Sequence, residues 1–311
     1  MKLIDVHKQF DTEDKCLDYL ERTRWPNGVC CIECGSVNVS RITREKRGKN
    51  RRTRIYQCLE KECGRQFSVT AGTIFHDSHL PLEKWFLALA IICEAKKGVS
   101  ACQMQRHLGV NYRTAWHLCH RIREAMKEEQ TPLTGVVEID ETYVGGKVIR
   151  RGDRRKPRKE KDVVLGMVER GGKVRTMHIG KGNDVNRKAL EPLLLANIDT
   201  KNTRLITDAH RAYAVIRRYL PHDVIRHESE YVRGDIHTQN IEGYWSIVKR
   251  GIYGVFQHVD AGYLGNYLNE FEFRFNSRKI SDLARFELLM AQTQGRVVWF
   301  CETHQPENPF A

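Results

Sequence analysis

Read for the spacing of its apolar positions, the chain divides into stretches of helical period and stretches of alternation. The clearest helical stripe lies in residues 237–250, HTQNIEGYWSIVKR, where Ile241, Trp245, Val248 and then Ile252 recur at helical steps. Glu242, Ser246 and Lys249 fall on a different face, and Glu242 and Lys249, seven residues apart, point almost the same way. A second stripe, Tyr263, Tyr267, Phe271 and Phe275, marks 260–276 as an amphipathic core helix. Nearer the N-terminus, Cys16, Leu17 and Leu20 give 11–24 a helical face. Asp11 or Thr12 can cap that helix, and Trp25-Pro26-Asn27-Gly28 stops it. Pro81 suits the first position of a further helix with Trp85, Leu89 and Ile92 inward.

Residues 96–126 read as helix, tight turn, helix. Ser100 is a good N-cap for the first, Gly109 breaks the chain after Leu108, and Asn111 can cap the second, which runs to about Met126. From Thr134 the period changes. Residues 136–140 read as a strand with Asp140 near its end, and 163–169 with 174–179 as a hairpin around Gly171-Gly172. A helix over 185–196 follows, then a short strand over 204–207 ending at Asp208, a helix over 209–220 and a strand over 223–226. Three strands, then helix and strand in alternation, is an α/β order. The boundaries that result are 1–77, 78–130 and 134–283, with 284–311 as a C-terminal tail.

Charge and cysteine usage sharpen this outline. The 311 residues carry a formal charge of +13, which favours a polyanionic partner, nucleic acid first. No apolar run reaches membrane-spanning length and the N-terminus lacks a signal core, so an intracellular, cytoplasmic place without a membrane is expected. Ten cysteines then need a reading without disulfides. Cys31-x2-Cys34-Gly35 and Cys58-x4-Cys63-Gly64 have the form of two tight knuckles on one tetrahedral ion, a structural zinc, one per chain. Cys30 is a competing ligand to Cys31, which makes the tighter knuckle. The remaining cysteines read as small buried apolar residues.

Between the cysteine pairs, 41–54 holds eight Lys or Arg, with Gly48-Lys49-Asn50 as a hairpin tip. Arg44, Lys46, Arg47, Arg51 and Arg52 are candidates for phosphate contact. In the helix pair, whose spacing matches a helix-turn-helix, Arg113, Thr114 and His117 would face a DNA groove. The segment 150–162, RRGDRRKPRKEKD, is too charged to pack and reads as a mobile loop.

Asp140 and Asp208 at strand ends and Glu242 on a helix could share a pair of Mg²⁺ or Mn²⁺ ions, hard cations that take oxygen ligands. Two such ions suit in-line phosphodiester displacement, with Lys249 holding a phosphate nearby. Alternatives stand beside each acid. Glu138 and Glu141 compete with Asp140, Asp208 could merely cap the following helix, and Asn240 competes with Glu242.

The segments CIECGS, YQCLEKECGRQFSVTAGTIFHDSHLPLEKW, VEIDETYVGGK, TDAHRAY and HTQNIEGYWSIVKRGIYG resemble a bacterial insertion-sequence transposase of the ISXO type, related to the eukaryotic Merlin elements. They spread over roughly 15–280. The resemblance implies a zinc ribbon and a small helix-turn-helix domain ahead of a ribonuclease-H-like mixed-sheet catalytic domain of the DDE class. It also implies Asp140, Asp208 and Glu242 as the metal-binding triad, with Lys249 as the basic residue that follows it. The expected activity is metal-dependent phosphodiester hydrolysis and DNA strand transfer. The partners would be double-stranded DNA, as the element's terminal inverted repeats and as target, with a homo-oligomer assembled on it. A DNA-binding regulator built on an inactive transposase and a structure-specific nuclease of the same fold are the competing readings.

Overall fold

The computed structural model of the protein describes residues 2–42, 54–129, 131–145, 161–181, 186–226 and 230–297. The chain forms two compact units. One is built from the chain up to Ala95, from Ala101–Met126 and from the segment that begins at Ile280; the other is built from Lys96–Ser100 and Lys127–Lys279.

In the first unit α1 (Leu3–Gln9) precedes α2 (Glu13–Arg24), whose N-cap Thr12 accepts from the Lys15 amide. A three-stranded antiparallel sheet follows, β1 (Val39–Ile42), β2 (Ile55–Cys58) and β3 (Gln66–Ser68), with Ile42 opposite Ile55. The expected tip Gly48-Lys49-Asn50 and the candidates Arg44, Lys46, Arg47, Arg51 and Arg52 lie outside the described residues. Helix α3 (Leu82–Glu94) buries Trp85, Phe86, Leu89 and Ile92. Pro81 is its N-cap rather than its first residue, because its ψ of 141° is extended.

Helices α4 (Ala101–Leu108) and α5 (Tyr112–Ala125) make the expected pair. Gly109 takes the left-handed φ of +59° that ends α4, and Asn111 Oδ1 accepts the Thr114 amide at 2.8 Å to begin α5. Across the boundary at 284, beyond which a tail was expected, the chain forms α9 (Asp282–Ala291), capped by Ser281. Its Phe286 is buried, with ring centroids 6.3 Å from Phe10 and 6.2 Å from Phe86. The chain then pairs back on the segment before α3: the Ile74 amide donates to Thr293 O at 3.1 Å and the Gly295 amide to Gly72 O at 2.8 Å.

The second unit is built on β4 (Leu133–Val144), β5 (Asp162–Glu169), β6 (Val174–Lys181), β7 (Ile198–Thr207) and β8 (His222–Val224), in the order β6-β5-β4-β7-β8. The β4–β5 and β5–β6 pairs are antiparallel, and β7 is parallel to both β4 and β8. One face carries α6 (Arg187–Asn197) and the 3₁₀ helix Arg211–Arg218. The other carries α7 (Gln239–Gly251) and α8 (Leu264–Asn276). The period of the strands sorts the side chains: Val163, Leu165 and Met167 join Leu190, Leu194 and Tyr213, while Val164 and Val168 join Ile241, Trp245 and Phe271. This is the ribonuclease-H-like mixed sheet that the resemblance implied.

The larger departures from the expected limits are three. Strand β4 runs on past Asp140, because its antiparallel ladder with β5 continues to Val144 opposite Asp162. Strand β7 begins at Ile198 rather than 204, and the helix expected over 209–220 is the shorter 3₁₀ turn with His210 as N-cap. The charged segment 150–162 lies outside the described residues up to 160, and Asp162 already belongs to β5.

Candidate functional site

The metal ribbon is the simpler centre. Cys31, Cys34, Cys58 and Cys63 bring their sulfurs within 4.8 Å of one another, with Cys31–Cys63 and Cys34–Cys58 each at 3.7 Å. Zn–S bonds of about 2.3 Å in a tetrahedron require sulfur–sulfur edges of about 3.8 Å, so the cluster has the size as well as the donors for zinc. Cys30 is not among the four. The Cys31 thiol comes down to about 7: burial opposes this, and the amides of Cys34 and Glu33 outweigh burial. Cys58 goes up to about 12, as burial and the Cys34, Cys63 and Cys31 sulfurs overcome the Glu60 amide. Sulfurs that compete in this way are the ones a cation reconciles.

In the second unit the strand pairing decides where the carboxylates go. The parallel ladder between β4 and β7 ends at Ile139 opposite Thr207. The next residue on each strand is an aspartate, so Asp140 and Asp208 leave the ladder as neighbours. Asp140 still pairs with Gly166 on its other side, which holds its backbone rigidly. Burial pushes its carboxyl up to about 7, and the charges of Glu141 and then Asp208 add to the rise. A carboxyl raised in this way beside a second carboxylate fits a divalent cation, which would remove the repulsion.

Alternation along β4 separates the remaining acids. Glu138 and Asp140 face α7, whereas Glu141 faces the 3₁₀ helix and accepts from the Tyr213 hydroxyl. Burial raises the Glu141 carboxyl, the Tyr213 bond opposes this, and Asp208 adds to the rise. Asp208 Oδ1 accepts the His210 amide at 2.9 Å, a turn contact that precedes the 3₁₀ helix, whose N-cap is His210. The Asp208 side chain therefore has one such bond, and its charge is also felt at Asp140 and Glu141.

Helix α7 lies over this end of the sheet by its buried stripe, Ile241, Tyr244, Trp245 and Val248. Gly166 permits that approach: a Cβ there would stand 2.4 Å from the Trp245 ring and 2.8 Å from Ile241. Trp245 Nε1 donates to Asp140 Oδ2 at 3.1 Å. Glu242 and Lys249 are exposed, on the helix face beside Trp245. The Thr238 hydroxyl donates to Glu242 Oε1 at 2.8 Å. Asn240 is engaged elsewhere, its Nδ2 donating to Glu138 Oε1 at 2.7 Å. The structure thus brings Asp140 and Asp208 together, ties Asp140 to α7 through Trp245, and sets Glu242 and Lys249 on one exposed face of that helix. The sequence reading missed Tyr213, the second role of Trp245 and the burial of Glu138. For Trp245 the signal was present, since an indole in a core stripe needs an acceptor for its N–H.

On α5, Arg113 is exposed, and Thr114 and His117 are half-buried. The later turns of the same helix are interior. His120 is buried against the Trp116 ring at 4.0 Å, and burial, then Arg123 and His117, take its pKa down to about 2. Arg121 is also buried and donates to His76 O at 2.6 Å. The exposed side chains of α5 are therefore concentrated in its first turn.

Comparisons with known proteins bear on both units. Residues 132–276 match the ISXO2-like transposase domain and residues 11–66 match a transposase zinc-ribbon domain. A protein of Halobacterium salinarum described as an uncharacterized protein in transposable element ISH50 is 29% identical over 288 residues, covering 86% of this chain and 92% of that protein. No solved structure matches the chain. The chain thus carries a match to a transposase zinc-ribbon domain on its four-cysteine cluster, followed by a match to an ISXO2-like transposase domain on a ribonuclease-H-like sheet.

Proposed function

We propose that the protein binds the ends of its own insertion sequence, cuts there by phosphodiester hydrolysis and joins the freed 3′ ends to target DNA. The observation that carries this reading is the emergence of Asp140 and Asp208 side by side at the end of the β4–β7 ladder, with Asp140 bonded to Trp245 of α7, the helix that bears Glu242 and Lys249. Asp140, Asp208 and Glu242 would hold a pair of Mg²⁺ or Mn²⁺ ions, which would supply activation of an attacking oxygen and charge stabilisation of the leaving one. Water attacks the phosphorus at the element end and leaves a 3′-hydroxyl. That hydroxyl then attacks a target phosphodiester: a new P–O bond forms, and the target's own 3′-oxygen leaves. Lys249 pairs with a non-bridging oxygen, and Trp245 fixes the Asp140 carboxylate by its N–H bond.

The ribbon and the α4–α5 pair supply the double-stranded DNA contacts, through Arg113, Thr114 and His117 and through the basic residues Arg44, Lys46, Arg47, Arg51 and Arg52. Joining two ends calls for at least two copies on the DNA. No helix among the described residues is long and apolar enough to cross a membrane.

The test uses the full chain, pre-cut ends, labelled target DNA and Mn²⁺. The unaltered protein is expected to give strand-transfer product. Alanine at Asp140, Asp208 or Glu242 is expected to abolish it with end binding retained, and Lys249→Ala to weaken it less. Product from all three acid variants at the unaltered rate overturns the assignment.

A further inference from the structure

Glu138 is a fully buried carboxylate two residues before Asp140 on the same face of β4. An unpaired charge there would be costly, and its partners identify its purpose. Arg170 Nε donates to Oε1 at 2.7 Å. The Asn240 amide donates to Oε2 at 2.8 Å, the Ile241 amide to the same oxygen at 3.1 Å, and Asn240 Nδ2 to Oε1 at 2.7 Å. His237 Nδ1 lies 3.4 Å from Oε1. Arg170 reaches further, to the carbonyls of Asp235 at 2.7 Å and His237 at 3.0 Å, so the approach to α7 is held as well.

The two backbone donors belong to the first turn of α7, where amides have no partner within the helix. An N-cap side chain ordinarily takes one of them. Here the N-cap is Thr238, buried, and its side chain makes no capping bond. A carboxylate from β4 has taken the capping role, and the threonine hydroxyl is turned instead to Glu242 Oε1 at 2.8 Å. The strand that carries Asp140 thus ties down the helix start, and the residue it relieves of capping grips the third acid.

We propose that Glu138, Asn240 and Thr238 are positioning residues that set Glu242 relative to Asp140 and Asp208. This rests on the metal-triad reading of the site above. Outer-sphere partners of this kind alter metal affinity by about 10–100-fold when removed. They act through Glu242, and none of them needs to touch metal or DNA.

The experiment measures Mn²⁺ binding to the full chain, from the electron paramagnetic resonance of free Mn²⁺, beside strand transfer and thermal unfolding. Thr238→Val keeps the shape and removes the hydroxyl, whereas Thr238→Ser keeps the hydroxyl. Thr238→Val is expected to bind Mn²⁺ about tenfold more weakly and to need correspondingly more Mn²⁺ for half-maximal strand transfer, with Tm little changed. Thr238→Ser is expected to restore both, and Asn240→Ala to behave as Thr238→Val does. Glu138→Gln is expected to be the most damaging, and the threonine pair carries the test if that variant does not fold. Unaltered Mn²⁺ affinity in both Thr238→Val and Asn240→Ala overturns the proposal, as does failure of Thr238→Ser to rescue. Failure of the underlying reading looks different: Asp140→Ala and Glu242→Ala would then bind Mn²⁺ and join DNA as the unaltered chain does.

Discussion

At the scale of single residues, Asp140 has the most consequential environment. Its pKa rises from an ordinary 3.8 to about 7 in the fold, by burial first and then by Glu141 and Asp208. Below about pH 3 the carboxyl is neutral in both folded and unfolded chains and costs nothing. As pH rises from there to 7 the unfolded chain ionises and the folded one resists, so stability falls and stays lower above 7. Asp140→Asn should therefore unfold at the same temperature as the unaltered protein at about pH 3. At pH 8 without divalent metal it should be more stable by about 1–2 kcal/mol, a figure discounted for partial exposure, or a few degrees in Tm. The asparagine should also remove the stabilisation that Mg²⁺ gives at pH 8, together with strand transfer. Scanning calorimetry at the two pH values checks this, and an unchanged Tm at pH 8 would contradict the repulsion described. In the ribbon, Cys58→Ser should lower zinc content from about one per chain to near zero and melt β1–β3, as metal analysis and amide exchange would show.

At the scale of elements, α7 depends on a missing side chain opposite it. Gly166→Ala would place a methyl 2.4 Å from Trp245, and β5 pairing leaves the strand no room to retreat. A loss of about 1–3 kcal/mol and a strand-transfer defect larger than any end-binding defect are expected. Titration with denaturant and the joining assay measure the two. The apolar stripe of α7 was legible in the sequence because Ile241, Trp245, Val248 and Ile252 keep helical period and all are buried. The exposure of Glu242 and Lys249 followed from the same count. What period could not reveal was long-range: that β4 continues beyond Asp140 depends on β5, and that Asn240 is tied to Glu138 depends on a pairing across about a hundred residues. Strand β7 was read too short because its first half, IDTKNT, has little alternation and meets β4 only at Ile198 and Thr203, across a register shift. Helix α9 had its signals, a Ser281 cap and Phe286, Leu289 and Met290 on one side, but no chemistry that drew attention to it. Edge strand β6 shows a device that only coordinates disclose: Asn276 accepts the Val174 amide at 2.7 Å and Glu272 the Thr176 amide at 2.5 Å, so α8 occupies edge donors that could otherwise pair with another chain.

At the scale of the whole molecule, the first unit is closed by a segment from the far end of the sequence. Phe286 stands among Phe10 and Phe86, and Arg285 donates to Cys93 O at 2.9 Å. Phe286→Ala should cost about 3–5 kcal/mol and lower the unfolding temperature of this unit ahead of the second. Removal of everything from Ile280 onward should leave α1–α3 susceptible to proteolysis, and a fragment ending at Met126 should share the defect; a stable fragment of that length would show α9 to be dispensable. The returning helix also orders events on the ribosome. At about 5–20 residues per second, on the order of ten seconds or more separate the emergence of α5 from that of α9. The sheet of the second unit is complete in the nascent chain before α9 can join the first. On the proposed reading, in which the first unit carries the DNA contacts, a chain still in translation would not use that unit to seize the gene that encodes it. Products of premature termination, lacking α9, would then not occupy the element ends in competition with the full-length protein.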